Sequence, residues 1–302
     1  MTNNIRSIFE QNIALMASLD KAIYYFRRQE HDKALGIVAD SMDMIKYSIE
    51  AIIMDKEYFN LIKTDSVMEM LGGVLDALKS ENYILLADLL EMQMGTFLCG
   101  IQELIISKEE IGFDDERYHK NLNALKDNGI GLSKVFEAPI DPEHFLKEGY
   151  RVEFTSSGLM TLVAENNDRQ FYFHTNGKVL EEAFFLATHW YKDSINRYSI
   201  YGLGFGYHIQ ELLLLDEYSN ITIYESDHNV IKLACAFTNI RELFDTDRLR
   251  LVYDPDYQFI SDKLGKIGEG EAFYVHYPSY QNIRSIEAKR MLENYVSWSK
   301  SL

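Results

Sequence analysis

A glycine-rich turn and an acidic residue downstream of it are the features of this sequence best suited to chemistry. Gly202, Gly204 and Gly206 stand between a short apolar run and a helical pattern. Glycines at a strand-to-helix turn let the backbone approach a phosphate, ribose or carboxylate, and the next helix presents free N–H groups. Glu225 ends the next predicted strand, where a carboxylate accepts hydrogen bonds from ribose hydroxyls. These residues predict a binding site for a nucleotide-like small molecule, and a tight turn without a ligand is the alternative.

Other polar residues of the same half of the chain are weaker candidates. His174, His208 and His276 fall at predicted turns or strand ends of the same half of the chain, so they could converge near the glycines. No metal-ligand spacing links them, so we expect structural histidines and no metal. His208 begins the helix after the glycines, and there it has the further option of contacting a bound phosphate or carboxylate. Asp254 follows the third predicted strand and is a candidate acceptor for an adenine amino group, with a solvated loop carboxylate as the alternative. Asp227 is predicted to cap the next helix.

The spacing of the glycines bears on the type of nucleotide. A dinucleotide fingerprint requires a third glycine where this chain has Tyr207, which argues against NAD. The form G-x-G-x-G followed by an acidic strand end resembles the S-adenosylmethionine-dependent methyltransferases. The run Tyr277-Pro278-Ser279-Tyr280 resembles the Pro-Pro-Tyr-type catalytic loop of that family. The resemblance implies S-adenosylmethionine as cofactor and Tyr277, Pro278 and Tyr280 as candidate catalytic residues, although the family usually has an acidic residue at the position of Ile200 and three more strands.

A second resemblance covers about residues 150–290. The segments 150–158, 174–183 and 201–209 are similar to the N-terminal region of the motility accessory factor (Maf) family, which is implicated in bacterial flagellin glycosylation with nonulosonic acids. In that family a separate sialyltransferase-like domain follows, and we expect this chain, which ends at Leu302, to lack it. The resemblance implies a nucleotide-sugar as ligand and flagellin or another protein of the glycosylation pathway as partner.

The spacing of apolar residues predicts the helices and strands that must position these residues. Apolar residues recur at helical spacing from Ile5 to about Ile106, with polar breaks at 29–32, 55–65 and 80–82, which predicts a four-helix bundle over 1–110. Prolines and glycines over 111–149 predict a connector with one short helix. A β-meander over 150–174 and a βαβ core over 197–302 complete an α/β chain with a Rossmann-like domain at 150–302.

Composition narrows the function classes. The formal net charge of −17 and the lack of a basic stripe argue against nucleic-acid partners. Cys99 and Cys235 lie in apolar helical patterns and are predicted to be reduced thiols. Because we find neither a signal-peptide core nor 18 consecutive apolar residues, we expect a cytoplasmic protein without a membrane partner.

The first third of the chain also suggests a binding role that involves no enzyme activity. It is rich in methionine, and this set is a candidate docking face for a partner, with core filling as the alternative: Met42, Met44, Met54, Met68, Met70, Met92 and Met94. Three hypotheses remain: a small-molecule-binding protein, a small methyltransferase, and a scaffold without enzyme activity whose helical bundle docks a partner.

Overall fold

A computed structural model describes residues 2–137, 140–166 and 169–296. The chain divides into two compact units. The first unit comprises Met1–Ile111, Phe154–Leu159 and Gly177–Glu181. The second unit comprises Gly112–Glu153, Met160–Asn176 and Glu182–Leu302.

The first unit is built from long helices that bury one apolar face each. Its helices are α1 (Asn3–Arg27), α2 (His31–Met54), α3 (Thr64–Lys79), α4 (Tyr83–Leu89) and α5 (Gly95–Lys108). A π-helical turn at Leu90–Met94 joins α4 and α5 into one run. The predicted four amphipathic helices are therefore confirmed, because their apolar residues repeat at the spacing that places them on one helix face.

Polar side chains in the core of the first unit satisfy one another. The Gln102 amide donates to the carbonyl oxygens of Phe9 (3.0 Å) and Ser157 (3.2 Å) and accepts a long hydrogen bond from Asn12 Nδ2 (3.4 Å). Ser48 Oγ donates to Asn12 Oδ1 at 2.6 Å. Because buried polar groups without partners are costly, this network fixes how these segments pack.

One helical run in the described part of the chain, Tyr83–Lys108, is long and apolar enough by length and composition to cross a membrane, with 26 residues and a mean hydropathy of 1.5. The run contains no stretch of 18 consecutive apolar residues, so that sequence observation stands, and the expected location of the protein stays a prediction. One such run is weak evidence for a membrane span, since the core helices of other proteins pass the same test. Here Leu86, Leu90, Leu98 and Ile101 are buried in the helical core.

The second unit contains a mostly parallel sheet and a smaller antiparallel one. Its strands are β1 (Gly129–Ile130), β2 (Tyr150–Phe154), β3 (Met160–Asn166), β4 (Arg169–Tyr172), β5 (Arg197–Tyr201), β6 (Asn220–Glu225), β7 (Leu249–Tyr253) and β8 (Glu271–Val275). The larger sheet has the order β1-β7-β6-β5-β8 with parallel neighbours, and the smaller has the order β2-β3-β4. The α/β prediction is confirmed at this level. The predicted turn residues Asn167 and Asp168 lie outside the described part of the chain.

Helices connect and cover the strands of the larger sheet. They are α6 (Asp115–Asn128), α7 (Ser133–Glu137), α8 (Pro142–Lys147), α9 (Val179–Trp190), α10 (Tyr207–Leu215), α11 (His228–Phe237), α12 (Ile240–Phe244), α13 (Gln258–Leu264), α14 (Tyr277–Asn282) and α15 (Ile286–Leu292). In register, Tyr201 lies opposite both Tyr224 and Val275, so β5, β6 and β8 end at the same edge of the sheet. The side chains that follow these strands therefore share one edge.

Residues 112–149 belong to the second unit, whereas the sequence suggested a connector with one short helix. They form α6, α7 and α8, and β1 adds a parallel edge strand to β7. Asn121 Nδ2 donates to the carbonyl oxygens of Cys235 and Thr238 at 2.7 Å, and its Oδ1 accepts from the Arg241 backbone N–H. The hydrophobic periodicity of the sequence does not indicate this structure, because α6 is mostly polar and hydrogen bonds of this kind hold it in place. Pro139 lies outside the described residues.

Candidate functional site

The glycine-rich turn joins the end of β5 to the start of α10. Gly202, Gly204 and Gly206 have φ values of 107°, 50° and 82°, a left-handed conformation that side-chain-bearing residues rarely adopt. The turn is buried along its whole length. A Cβ at Gly204 would lie 2.8 Å from His174 Nε2, and one at Gly202 would overlap the Ser279 side chain. The glycines are therefore required both for the backbone conformation and for close packing against these side chains.

Glu225 lies at the predicted strand end, and its carboxylate is engaged by the backbone. Oε2 accepts from the Leu203 N–H at 3.0 Å, and Oε1 accepts from the N–H groups of Ser226 (2.9 Å) and Asp227 (3.0 Å). Burial, with repulsion from Asp227, raises the pKa of Glu225 to about 7, while the three N–H donors oppose the rise. Three of about four acceptor positions of the carboxylate are thus occupied. The carboxylate clamps the glycine turn to the end of β6.

Hydroxyl groups beside Glu225 form a short chain that the sequence did not reveal. The Tyr201 hydroxyl lies 2.8 Å from Ser226 Oγ, which lies 3.0 Å from the Tyr257 hydroxyl. Ser226 and Tyr257 are partly exposed, and Tyr257 has a φ of 58°. These residues come from three separate segments, so no local spacing could identify them.

Asp227 caps α11, as predicted, and also joins distant segments. Its Oδ1 accepts from the Asn229 N–H at 2.9 Å, and its Oδ2 accepts from the Tyr150 hydroxyl and from Asn282 Nδ2 at 2.8 Å. Burial, together with the charge of Asp227 and the hydrogen bond to it, raises the pKa of Tyr150, so the phenol stays protonated as a donor. Tyr150 and Asn282 are further residues that sequence reasoning missed.

Asp254 is neither an open adenine acceptor nor a solvated loop residue. Its carboxylate is buried and accepts from the backbone N–H groups of Gln258 (2.9 Å) and Ile260 (2.9 Å) at the start of α13. Both oxygens are therefore used to cap a helix. The sequence alternatives overlooked this role because Asp254 stands four residues before the helix.

The candidate catalytic residues Tyr277, Pro278 and Tyr280 lie in α14, which begins just after β8 ends. Tyr277 is exposed and its hydroxyl accepts from Gln281 Nε2 at 2.9 Å, while Pro278 occupies the first turn. The Tyr280 ring is partly buried, and Lys289 Nζ lies 5.9 Å from its centroid. Of the three, Tyr277 is the most open to a ligand.

Three histidines distant in sequence meet at this edge of the sheet. His174 follows β4, His208 lies in the first turn of α10, and His276 directly follows β8. One ring nitrogen of each lies within 4.8 Å of those of the other two, and all three side chains are buried. The rings of His208 and His276 stack with centroids 4.3 Å apart. No metal-ligand spacing in the sequence links these histidines, because they are far apart along the chain and folding brings their rings together.

The environment of these histidines keeps them neutral. Burial lowers the pKa of His208 to about 4, although its hydrogen bond to the Gly202 carbonyl oxygen opposes the shift. Burial and repulsion from His208 hold the pKa values of His174 and His276 well below the usual range, with His174 adding to the effect on His276. His208 is thus turned away from solvent, and the predicted contact with a bound phosphate has no exposed imidazole to make it.

Comparison with known proteins finds no matching family model, no matching curated protein and no matching solved structure. At the carboxyl edge of the larger sheet, the described residues offer two arrangements capable of binding. One is the partly exposed hydroxyl chain beside Glu225. The other is the buried cluster of three histidines.

Proposed function

We propose that the second unit is a Rossmann-like domain that binds a nucleotide-like small molecule at the carboxyl ends of β5 and β6, and that it is related to the N-terminal region of the Maf family. The observation that carries the proposal is the strand order β7-β6-β5-β8. In this order the chain leaves β5 in one direction to form β6 and returns on the other side to form β8. Open parallel sheets bind ligands at such a switch point, outside the carboxyl ends of the strands.

The groups around Glu225 favour a ribose or a similar diol. The carboxylate has about one acceptor position left after its three backbone hydrogen bonds. The partly exposed hydroxyls of Ser226 and Tyr257 can each donate or accept a further hydrogen bond. The net charge of −17 disfavours polyphosphates, so ligands with one phosphate or none, such as CMP-sugars or adenosyl compounds, fit best.

Thermal unfolding of the full chain tests the proposal. The protein is heated with S-adenosylmethionine, S-adenosylhomocysteine, CMP-sugars and UDP-sugars in turn. A ligand at about a hundred times its Kd adds roughly 2.7 kcal/mol, which raises the Tm by several degrees. We expect Ser226→Ala and Tyr257→Phe to reduce the shift, because each removes a hydroxyl facing the ligand. The exposed Ser194 provides a matched control, Ser194→Ala, that leaves the shift unchanged.

Two outcomes would contradict the proposal. If none of these compounds shifts the Tm, the domain does not bind this class of ligand. If a shift occurs but is the same in Ser226→Ala and Tyr257→Phe as in the unaltered protein, the ligand binds elsewhere.

A methyltransferase is the second candidate function, and the position of Tyr277 and Pro278 favours it. They begin α14, one residue after the end of β8, which is the strand beside β5, and Tyr277 is exposed. This is the position that the catalytic loop takes in the resemblance described above. A Tm shift with the adenosyl compounds alone, together with loss of methyl transfer to an acceptor in Tyr277→Phe, would support it over sugar-nucleotide binding.

Exposed apolar side chains of the first unit favour a scaffold as a third candidate. Met54 is 87% exposed, Met92 71% and Leu61 75%, whereas Met70 and Met94 are buried in the core. The methionines thus divide between core filling and an open surface. Calorimetry with purified flagellin tests this reading: binding that is lost in Met54→Glu and Leu61→Glu supports it, and no heat of binding contradicts it.

A further inference from the structure

The proposed nucleotide binding assigns no role to the buried imidazoles of His174, His208 and His276. They come from the end of β4, the start of α10 and the end of β8, and one nitrogen from each lies within 4.8 Å of the other two. Three buried imidazoles with ring nitrogens this close together are uncommon, because each ring brings polar nitrogens that need partners.

His208 has a bare nitrogen without a partner among the described residues. Its Nε2 lies 3.1 Å from the Gly202 carbonyl oxygen, which can only accept, so Nε2 carries the proton. Nδ1 therefore has a free lone pair, and it is buried without a hydrogen-bond partner. His208 as a whole is 1% exposed. A metal ion is a partner that such a lone pair can accept, and donation from the other ring nitrogen to a backbone carbonyl is the usual companion of metal ligation.

His276 is held in an equally suitable orientation. Its Nδ1 lies 2.9 Å from Ser279 Oγ, a side chain that is itself buried. When Nδ1 carries the proton and donates to this hydroxyl, Nε2 keeps a lone pair that can bind a metal ion. The outer hydrogen bond fixes the tautomer and the ring plane.

His174 can coordinate a metal ion through Nε2 only if that nitrogen first loses its present hydrogen bond. Its Nε2 accepts from the Phe205 N–H at 2.9 Å, so its lone pair is used by the glycine turn. Coordination by this nitrogen requires the Phe205 amide to release its hydrogen bond. Metal binding would thereby be linked to the conformation of the Gly202–Gly206 turn, which lies against the same ring because Gly204 has no Cβ.

We propose that His174, His208 and His276 form a binding site for a divalent transition metal ion of borderline softness, with Zn²⁺ as the best match. Imidazole nitrogen suits Zn²⁺, Co²⁺, Ni²⁺ and Cu²⁺, whereas Mg²⁺ and Ca²⁺ prefer oxygen ligands. Three imidazoles leave the fourth position of a tetrahedral site for an added ligand. This site does not rest on the proposed nucleotide binding.

Titration with Co²⁺ tests the site directly. The full chain is freed of metal with a chelator and titrated with Co²⁺, whose tetrahedral complexes absorb strongly in the visible range. We expect one equivalent to bind per chain and Zn²⁺ to displace it. His208→Gln and His276→Gln should weaken binding at least about tenfold, and Ser279→Ala should weaken it by about tenfold through the orientation of His276. The exposed residues His119 and His189 provide matched controls, His119→Gln and His189→Gln, that leave binding unchanged.

Absence of stoichiometric Co²⁺ binding in the unaltered protein overturns the proposal. Co²⁺ binding by His208→Gln and His276→Gln that is as tight as in the unaltered protein also overturns it. A second measurement uses only the unaltered protein, so it tests the site even when the variants fail to fold. The X-ray absorption spectrum of the Zn²⁺-loaded unaltered protein should show three imidazole nitrogens around the metal, and a shell of oxygen ligands would contradict the site. Nucleotide-dependent Tm shifts are measured separately in metal-free protein. They test nucleotide binding independently of metal binding, so failure of one proposal does not decide the other.

Discussion

Two side chains from outside the glycine turn, Glu225 at the end of β6 and His174 after β4, hold the turn that follows β5. The Glu225 carboxylate accepts the Leu203 N–H, and His174 accepts the Phe205 N–H. The two donors alternate with glycines that lie in the left-handed region. The turn therefore depends on two side chains from outside it, which makes it sensitive to substitutions at those positions and at the glycines.

Gly202→Ala should destabilise the protein by at least about 2 kcal/mol, because it combines backbone strain with a clash. Gly202 has a φ of 107°, and an added Cβ would overlap the Ser279 side chain. Urea unfolding followed by circular dichroism measures the loss. Gly268→Ala is the matched control, since a Cβ there meets no atom within 4 Å. Equal stability of the two variants would contradict the packing described.

Glu225→Gln should lower the free energy of unfolding by about 1–3 kcal/mol. The carboxylate accepts three backbone N–H groups through both oxygens, and a glutamine would direct its own NH₂ donor at one set of them. Chemical denaturation of the two proteins at neutral pH gives the difference. The exposed Glu217 supplies the control Glu217→Gln, for which no change is expected.

At the scale of elements, buried carboxylates determine where helices begin and how they pack. Asp254 accepts the N–H groups of Gln258 and Ile260 at the start of α13. Asp20 on α1 lies near Glu91, Lys178 and Glu181 of the first unit, where burial, with repulsion from Glu181, raises its pKa to about 7. The Asp254 carboxylate stabilises the start of its helix through two hydrogen bonds, whereas ionisation of Asp20 destabilises the folded state.

Asp254→Ala should cost about 1–2 kcal/mol of stability, which is the usual effect of removing a capping side chain. Asp256→Ala changes an exposed aspartate of the same loop and should have little effect. Thermal denaturation compares the two. A cost from Asp256→Ala as large as that from Asp254→Ala would show that loop charge matters more than the cap.

The stability of the first unit should fall as the pH rises from about 4 to about 7. A carboxyl whose pKa is raised in the folded state binds more protons there than in the unfolded chain over this window. The free energy of unfolding then decreases with pH by up to about 1.4 kcal/mol per pH unit. Asp20→Asn should remove this slope and be more stable than the unaltered protein at pH 8. Asp40→Asn, an exposed site on α2, should keep the slope.

At the scale of the whole molecule, the formal net charge of −17 is the dominant electrostatic fact. Like charges repel in the compact state more than in the expanded one, so the excess of acidic residues reduces stability at low ionic strength. Salt screens this repulsion over distances of about 10 Å at 0.1 M. The same field repels nucleic-acid backbones.

Added salt should therefore raise the Tm at pH 8 by a few degrees between about 10 mM and 300 mM NaCl. Scanning calorimetry at both concentrations measures the effect. The matched experiment near pH 5, close to the isoelectric point of about 4.9, should show a smaller rise because the net charge approaches zero. A Tm at pH 8 that does not respond to salt would argue that the acidic residues are locally compensated.

Local patterns in the sequence determined most of the regular elements of this protein. The β-meander predicted over 150–174 contains β2, β3 and β4, and the βαβ core predicted from residue 197 begins with β5 at Arg197. Such segments bury one face or a whole strand, so their apolar spacing is fixed by local geometry. The helices within the polar segment 112–149 were not predicted from apolar spacing, because hydrogen bonds such as those of Asn121 hold this segment in place.

Only the tertiary structure decided what the candidate residues contact. The sequence identified Gly202, Gly204, Gly206 and Glu225 by type and spacing, but not that the carboxylate is engaged by three backbone N–H groups. The positions of three distant histidines at turns and strand ends indicated that they could converge near the glycines. Their actual distances depend on the sheet order that makes β5 and β8 neighbours, which is a long-range property. Spacing along a chain encodes contacts within a turn or a helix, whereas contacts between strand ends depend on how the whole sheet assembles.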